Sequence, residues 1–318
     1  MFAGFDIGGT NIKSVLTDNS GKILSSIEAP TPSGTKEIDE AIARLVKELA
    51  LTASVSAGDI RAIGIGAAGS INRNKGTVII SPNIPSWSYY PLCRKVEKLT
   101  GIKVYLENDA TAACAGVWWK KIGDKYNNWI MITLGTGIGG GAVLNGQLFT
   151  GQTGSSMEIG HMSIDPRGPL CQCGNRGCFE LYASATALVK QVKLKMKKFP
   201  SSPLKSLKKS KLTARRIYEE GLKNDPLALE GLEYVATYLG VGITNLINIF
   251  NPEAIIIGGG LSRAWDLISP KMKEVIDERG MKGLKENVKI ITVKEHPMIA
   301  ALGAAKIAFE RFKEDNKS

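Results

Sequence analysis

The sequence predicts an α/β fold built from two similar halves. Short apolar runs rich in β-branched residues alternate with longer segments of helical periodicity, which is the pattern of an α/β chain. A glycine-rich turn between two such runs occurs at Asp6-Ile-Gly-Gly-Thr10, and another occurs at Gly135-Thr-Gly137. Because each half opens on the same pattern, we expect a duplicated domain.

Two sets of segments carry this prediction. The runs with the length and composition of strands are residues 2–7, 12–17, 60–65, 103–106, 129–134, 141–144, 254–257 and 288–293. The segments with helical spacing of apolar residues are residues 38–52, 93–100, 110–119, 183–198, 226–250 and 299–312.

The boundary between the halves is predicted near residue 112. Residues 1–112 form an N-terminal α/β domain, which a C-terminal helix over residues 300–318 rejoins. Residues 113–299 form a larger α/β domain. Ligand pockets favour domain interfaces, so we expect the active site in a cleft between the two domains.

The composition is that of a globular protein, with 43% hydrophobic and 22% charged residues. The N-terminus lacks the basic and apolar regions of a secretory signal. The longest uncharged stretch, residues 126–157, is too rich in glycine and polar side chains to cross a bilayer. We therefore expect a cytoplasmic protein without a membrane partner.

The net charge of +11 comes from one segment, residues 190–216, which contains nine Lys, two Arg and no acidic residue. The rest of the chain has no excess of basic residues, so it lacks the basic face typical of nucleic-acid-binding proteins. The segment favours a solvated surface insertion over an anion-binding patch. Nucleic acid is not an expected partner.

The glycine-rich loops are better suited to phosphate than to a dinucleotide. Residues 64–69 and 135–140 match the dinucleotide fingerprint in form, but strands follow them where that fingerprint requires a helix. A hairpin turn instead exposes backbone N–H groups to phosphate, and glycine allows a close approach. Asp6 could also hold a hydrated Mg²⁺, and the Thr10 hydroxyl could meet phosphate.

One motif has the composition of a structural zinc site. His161 is followed by Cys171, Cys173 and Cys178, which together offer one imidazole and three thiolates for tetrahedral Zn²⁺. Four protein ligands would fill the coordination shell of the metal, which predicts a structural and not a catalytic site. The metal would fix the imidazole of His161, which lies three residues after Glu158, and it would also orient Glu180, two residues past Cys178. Cys93 and Cys114 are expected to be ordinary packing residues.

Asp109 has two interpretations. It follows a predicted strand and precedes a predicted helix, which is the position of an N-cap. A carboxylate at a strand end could also accept the proton of an attacking hydroxyl, and the helix N-terminus would help to keep it ionised. The position alone favours the cap.

Three motifs together resemble the ROK family (repressor, open reading frame, kinase) of the actin-like, ribonuclease H-like ATPase superfamily. They are Asp6-Ile-Gly-Gly-Thr10, residues 135–140 and the segment Asn251-Pro-Glu-Ala-Ile-Ile-Ile-Gly-Gly-Gly260, and the resemblance extends from residue 4 to about residue 305. It implies two actin-like domains, with ATP and Mg²⁺ as cofactors beside the structural Zn²⁺. It also changes the interpretation of Asp109, because Glu107-Asn-Asp-Ala110 is similar to the family's catalytic motif.

The resemblance implies a role for each matching residue. Asp109 is the base, and the residues implied for sugar binding are Gly69, Asn83, Asn108, Asp109, Glu158, His161 and Glu180. Those implied for nucleotide binding are Asp6, Gly8, Gly9, Thr10, Asn11, Lys13, Gly135, Thr136, Gly137, Gly258 and Gly259. The chain departs from the family pattern at Ala68, Thr111 and Met157, which affects the fit of the substrate more than the chemistry.

The implied function is ATP-dependent phosphorylation of a hexose, with glucose favoured as the substrate. An N-acetylhexosamine, N-acetylglucosamine or N-acetylmannosamine, is the alternative. Sugar-responsive repressors of the family carry a helix-turn-helix before the Asp6 motif, and we expect none here because the motif begins at residue 6. We also expect a homodimer or a dimer of dimers.

Overall fold

A computed structural model of the chain describes residues 1–120, 125–208, 211–293 and 296–316. Lys209 and Ser210 of the basic segment, and residues 317–318 of the predicted C-terminal helix, lie outside the described residues. The fold is α/β, as predicted, and it divides into two compact units. Unit 1 comprises the described parts of residues 1–127, 141–157 and 295–318, and unit 2 those of residues 128–140 and 158–294. The domain boundary at residue 112 stays a prediction.

The strands, in chain order, are β1 (Phe2–Ile7), β2 (Asn11–Thr17), β3 (Ile23–Pro30), β4 (Ala62–Ala67), β5 (Ser70–Asn72), β6 (Thr77–Ile80), β7 (Ser88–Tyr90), β8 (Lys103–Asn108), β9 (Trp129–Leu134), β10 (Ile138–Leu144), β11 (Gln147–Leu148), β12 (Ala254–Gly258) and β13 (Lys289–Thr292). The helices are α1 (Thr35–Thr52), α2 (Leu92–Thr100), α3 (Asp109–Trp119), α4 (Glu180–Ala183), α5 (Ala185–Lys195), α6 (Ala214–Gly221), α7 (Pro226–Phe250), α8 (Trp265–Arg279) and α9 (Ile299–Asp315).

The two large sheets have the same strand order. One runs β3-β2-β1-β4-β8 and the other runs β11-β10-β9-β12-β13. In the first sheet β1 is antiparallel to β2 and parallel to β4, and in the second β9 is parallel to β12. This repeated order confirms the predicted duplication. A third, antiparallel sheet consists of β5, β6 and β7.

The sheet of unit 1 is covered on both faces by apolar helix surfaces. Buried leucine and isoleucine side chains of α1 pack with those of α2 against one face. Small residues of α3 and α9 pack on the other face. Gly4 and Gly64 allow this close approach, because a Cβ on either would overlap a carbonyl oxygen of α9.

Unit 2 is organised around β9, β12 and the long helix α7. The side chains of β9 and β12 are buried almost throughout, and α7 begins at Pro226 after the N-cap Asp225. The basic segment lies beside this core, and its lysines are mostly exposed while Leu204 and Leu212 are buried. The helices that the structure describes are all too short or too polar to cross a membrane.

Several elements differ from the prediction. The helix predicted over residues 183–198 is divided, because Ser184 is extended and caps a new helix by accepting a hydrogen bond from Ala187 N (3.1 Å). That helix, α5, ends at Lys195. Strand β3, strands β5 and β7 of the small sheet, and helices α6 and α8 were not predicted, whereas β6 is the strand expected after residues 64–69. Pro270 lies inside α8, and an interior proline argues against a helix in a sequence pattern.

Candidate active site and metal centre

The turn between β8 and α3 carries the predicted base. Asn108 ends β8, and Asp109 is the first residue of α3. The Asn108 carboxamide oxygen accepts hydrogen bonds from the N–H groups of Ala110 (2.9 Å) and Thr111 (3.2 Å). The N-cap is therefore Asn108, and the interpretation of Asp109 as the cap is wrong. The capping function leaves Asp109 available for another role.

The electrostatic environment of Asp109 favours a base. Burial raises the pKa of its carboxyl group, while a hydrogen bond from the N–H of Ala110 (2.9 Å) lowers it by a smaller amount. The N–H at the start of the helix therefore helps to keep the carboxyl group ionised, as predicted, although desolvation has the larger effect. A carboxylate with a raised pKa accepts a proton more readily than an ordinary aspartate.

Asn108 also positions a predicted sugar residue. Its Nδ2 atom donates to the carbonyl oxygen of Gly69 (3.3 Å). Gly69 has a φ of +108°, and a Cβ there would overlap the carbonyl oxygen of Ile80. An amide nitrogen carries two hydrogens, so one remains after the bond to Gly69. The structure thus brings Gly69, Asn108 and Asp109 together.

Asn83, another predicted sugar residue, lies beside the first glycine loop, which we define as residues 8–10. Asn83 is exposed, and a Cβ on Gly9 would lie 3.4 Å from its Cβ and its carbonyl oxygen. The glycine therefore leaves open space next to a side chain with both a donor and an acceptor. Within unit 1, the structure brings a predicted sugar residue next to a predicted phosphate loop.

The predicted nucleotide residues of unit 1 lie around this loop. Asp6 and Lys13 are directly opposite each other in the β1–β2 pair, which suits opposite charges. The turn is closed by a hydrogen bond from Gly8 N to Asn11 O (3.0 Å), and Asn11 Nδ2 donates to Glu28 Oε1 (2.7 Å).

Thr31 holds the first glycine loop from the side of β3. Its N–H donates to Thr10 O (2.8 Å), and its hydroxyl donates to Gly8 O (2.7 Å). Because a trans peptide is planar, the N–H that follows each carbonyl points the opposite way. The N–H groups of Gly9 and Asn11 are therefore directed away from Thr31.

The second glycine loop, residues 135–137, is a tight turn closed by a hydrogen bond from Gly135 N to Gly137 O (3.0 Å). Ala185 N donates to Gly135 O (2.9 Å), and the Thr186 hydroxyl donates to Thr136 O (2.7 Å). By the same peptide geometry, the N–H groups of Thr136 and Gly137 point away from this support. They are suited to bind phosphate oxygens.

The predicted adenosine residues lie directly behind the second glycine loop. Gly258 ends β12, and Gly259 follows it with a φ of +91°. A Cβ on Gly259 would overlap the backbone of Leu134, the residue before Gly135. Unit 2 therefore brings the predicted phosphate and adenosine segments together, as the sequence analysis expected.

The donor atoms of His161, Cys171, Cys173 and Cys178, which we call the knot, fit a tetrahedral metal. All four lie within 4.8 Å of one another. Cys173 Sγ is 3.6 Å from Cys178 Sγ, and Cys171 Sγ is 3.7 Å from His161 Nδ1. Two sulfurs bound to a tetrahedral Zn²⁺ lie about 3.8 Å apart, given Zn–S distances of about 2.3 Å. The donor set and spacing therefore fit zinc.

The thiols of the knot differ in acidity. Burial raises the pKa of Cys178 to about 12, whereas a hydrogen bond from the N–H of Asn175 lowers that of Cys173. A metal ion must displace the thiol protons when it binds, so its affinity for the knot rises with pH.

The knot lies against two predicted sugar residues. Glu180 Oε1 is 3.5 Å from His161 Nδ1 and 3.4 Å from Cys171 Sγ. His161 N donates to Glu158 O (3.0 Å) in the short 3-10 turn Ile159–His161. Met157, just before this turn, has a φ of +61°, which explains why a small residue suits this position better.

A buried ion pair behind the turn that carries Asp109 was missed by the sequence analysis. Glu107 is fully buried, and its Oε2 lies 3.2 Å from Arg73 Nε, although the two atoms are not aligned for a hydrogen bond. Glu107 Oε1 accepts from Asn108 N (3.1 Å), and Arg73 Nη1 donates to Thr150 Oγ1 (2.8 Å). Burial raises the pKa of Glu107, and the Arg73 guanidinium opposes that rise.

The predicted site residues thus form two groups. Unit 1 contains the base, Gly69, Asn83, Asn108 and the first glycine loop with its neighbours. Unit 2 contains the second glycine loop, Gly258, Gly259, the knot, Glu158 and Glu180. Thr31 and Thr186, which hold the two loops, were also missed, because their partners are distant in sequence.

Comparison with known proteins identifies the family. The ROK family profile matches residues 2–311. The chain belongs to the ROK family. A glucokinase of Thermotoga maritima is 37% identical over 313 residues, which cover 97% of each chain. A ROK glucokinase of Streptomyces griseus, crystallised with glucose and AMPPNP, superposes with a TM-score of 0.82 at 33% identity, over 97% of this chain and 99% of that one.

The ROK family also includes regulators. The xylose repressor of Bacillus subtilis is 30% identical over 313 residues, which cover 97% of this chain and 77% of the repressor. Membership in the ROK family therefore confirms the predicted family and fold, and the choice between catalysis and regulation rests on the site residues.

Proposed function

We propose that this protein is an ATP-dependent glucokinase, which transfers the γ-phosphoryl group of ATP to the 6-hydroxyl of glucose. The observation that carries the proposal is its likeness, over 97% of the chain, to a glucokinase crystallised with glucose and AMPPNP, an analogue of ATP. Asp109 supports a catalytic over a purely regulatory role, because a carboxylate with a raised pKa has the chemistry of a general base.

Asp109 would accept the proton of the attacking sugar hydroxyl. As that proton moves to the carboxylate, the hydroxyl oxygen forms a bond to the γ-phosphorus, and the bond from phosphorus to the β–γ bridging oxygen breaks to release ADP. Asn108 fixes the start of α3 through its cap, which holds Asp109 in place. Asn83, Glu158, His161 and Glu180 offer donors and acceptors for the other sugar hydroxyls.

The two glycine loops would bind the phosphates of ATP. Each presents backbone N–H groups on the side opposite its supporting threonine, and phosphoryl transfer depends mainly on such positioning and charge stabilisation. Asp6 would hold Mg²⁺ through water, and the ion would neutralise charge that develops on the phosphates. Gly258 and Gly259 would lie against the adenosine.

The knot would hold a structural Zn²⁺ that fixes the ring of His161 and the position of Glu180. Cysteines clustered at this spacing are typical of a metal site in a reducing compartment, which supports a cytoplasmic location. Elemental analysis of the purified protein should find one zinc per chain. A chain purified in its folded state with no zinc would contradict this assignment.

The proposal is tested with Asp109→Asn, which keeps the side-chain volume but cannot accept the proton. We expect kcat to fall by about 100- to 10,000-fold while glucose affinity, measured by calorimetry, is retained. For the unmodified enzyme, kcat/KM should fall as the pH drops, because the base is lost on protonation. The fall should begin at a higher pH than for an aspartate of ordinary pKa, since burial raises the pKa of Asp109. A variant with near-normal kcat would contradict the assignment.

The substrate is tested by comparing kcat/KM for hexoses and N-acetylhexosamines in an ADP-release assay. We expect glucose to give the highest value. A higher value for N-acetylglucosamine or N-acetylmannosamine would change the substrate and leave the kinase assignment intact. Sugar binding without ADP release from any sugar would favour a regulatory role.

A further inference from the structure

The segment that directly follows the knot contacts the second glycine loop. The connector, which we define as residues 179–186, begins directly after Cys178 and contains α4 and the start of α5. Resting on the function proposed above, we propose that the connector positions the second glycine loop, so that nucleotide binding depends on the metal in the knot. Thr186 is the positioning residue that the sequence analysis did not identify.

Two hydrogen bonds join the connector to the loop. Ala185 N donates to Gly135 O (2.9 Å), and the Thr186 hydroxyl donates to Thr136 O (2.7 Å). Both bind carbonyl groups, so they determine the direction of the following N–H groups. Losing either bond would allow a peptide of the loop to rotate and turn its N–H away from phosphate.

Two steric contacts extend the same interface. A Cβ on Gly137 would lie 2.4 Å from Glu180 Oε2, so the Glu180 carboxylate faces this glycine directly. A Cβ on Gly160, the residue before His161, would overlap the carbonyl oxygen of Ile138. Four consecutive residues, 135–138, are therefore in contact with the connector or with the His161 turn.

The connector is joined to the knot and its surroundings by hydrogen bonds and direct contacts. Leu181 N donates to Cys178 O (2.9 Å), and Phe179 N donates to Met162 O (2.9 Å). Phe179 is fully buried, and its ring occupies the space above Gly242. Glu180 contacts His161 and Cys171 directly, so a change in these ligands reaches Gly137 through one side chain.

The first glycine loop provides an internal control. Thr31 binds its carbonyl groups with the same two donors, one N–H and one hydroxyl. Thr31 directly follows β3 and is a residue of unit 1, whereas the knot lies in unit 2. The two loops thus have chemically matched supports, and the support of the second lies at the end of the connector that begins after Cys178.

The first experiment measures AMPPNP affinity by calorimetry in the zinc-loaded protein and in two variants. Thr186→Val removes the hydroxyl with little change in shape, and we expect AMPPNP to bind about fivefold more weakly, as for loss of one hydrogen bond. Thr186→Ser should restore affinity to within about twofold. Glucose affinity should not change in either variant. Equal AMPPNP affinity for Thr186→Val and the wild type would overturn the proposal.

The second experiment removes the metal by chelation, with circular dichroism to verify that the chain remains folded. AMPPNP affinity should fall by about 10-fold or more, as is common when the surroundings of a metal ligand are lost. Metal removal should weaken AMPPNP binding less in Thr186→Val, where the hydrogen bond from the connector to the second glycine loop is already lost. In Thr31→Val it should weaken AMPPNP binding as much as in the wild type. Cys173→Ser provides the same test without a chelator.

The possible outcomes separate the two proposals. Metal-free protein that binds glucose weakly but AMPPNP normally would overturn the connection and leave the kinase assignment intact. An equal effect of metal loss in Thr186→Val and Thr31→Val would also overturn it. Zinc-loaded wild-type protein that binds no AMPPNP would contradict the proposed function itself.

Discussion

Thr31 holds the carbonyl groups of the first glycine loop, whereas Ala185 and Thr186 hold those of the second. In each loop one N–H and one hydroxyl group donate, but the donors come from different parts of the chain. In the first sheet the third strand, β3, has eight residues and leads directly to Thr31. In the second sheet the corresponding strand, β11, has two residues, and the support comes from a segment that follows the knot.

The comparison teaches that a duplicated unit can keep a contact while changing the part of the chain that makes it. A phosphate-binding loop must keep its carbonyl oxygens turned away from the phosphate. Any hydrogen-bond donor on the opposite side of the loop can hold them there. In the second half this task falls to Ala185 and Thr186, at the end of the connector that follows Cys178.

The largest effect is expected at the rear of the second glycine loop. Gly259→Ala places a Cβ against the Leu134 backbone and imposes a positive φ on an alanine, so we expect a loss of about 3 to 5 kcal/mol in unfolding free energy. AMPPNP affinity should fall with it. Urea unfolding and calorimetry provide the measurements.

Gly260→Ala is the matched control, because nothing lies within 4 Å of a Cβ at that position. It should change stability by less than about 0.5 kcal/mol. If Gly259→Ala were as stable as this control, the second glycine loop would not depend on contact with Gly259.

A smaller effect is expected behind the turn that carries Asp109 in unit 1. Glu107→Gln leaves the Arg73 guanidinium without its buried partner, and we expect a loss of about 3 kcal/mol in unfolding free energy. This loss is at the low end of the range of about 3 to 5 kcal/mol for breaking a buried ion pair, because the Arg73 side chain is 18% exposed. Urea unfolding measures it.

The double variant Glu107→Gln with Arg73→Met is the control for the ion pair, because it removes both charges. It should be more stable than Glu107→Gln alone. A double variant that loses the sum of the two single effects would show that the side chains act independently, and the ion pair would not support Asn108.

The sequence predicted those parts of the fold that local patterns determine. The β-branched runs of β1 and β9 and the long apolar periodicity of α7 were predicted within a few residues. Strand β3 was missed because its residue types do not follow its alternating burial, since Leu24 is exposed and Ser25 is buried. Helix α8 was missed because Pro270 interrupts its pattern. Local pattern carries no information on how tertiary packing overrides such signals.

The candidate site shows the same limit. The knot and the glycine loops were found because their residue types and spacing are specific. The cap was assigned to Asp109, one residue too late, because aspartate and asparagine are both good caps and only the backbone distinguishes them. Thr31, Thr186 and the pairing of Glu107 with Arg73 depend on contacts between distant segments, which no local spacing encodes.

The smallest effect is expected in the basic segment, which begins on the helix that supports the second glycine loop. Lys193, Lys197, Lys198 and Lys205 are exposed, whereas Lys195 is paired with Glu230 and is left unchanged. Along a helix that rises about 1.5 Å per residue, Lys193 lies about 10 Å from Thr186, which is beyond the screening length of about 8 Å at physiological salt. Replacing these four lysines with glutamine should keep kcat/KM for glucose within about threefold.

Lys190→Gln, one turn from Thr186, is the sensitive control, since its charge is close enough to act on the second loop. A large loss in the four-lysine variant, or salt-dependent binding of nucleic acid by the unmodified protein, would show that the segment binds an anionic partner.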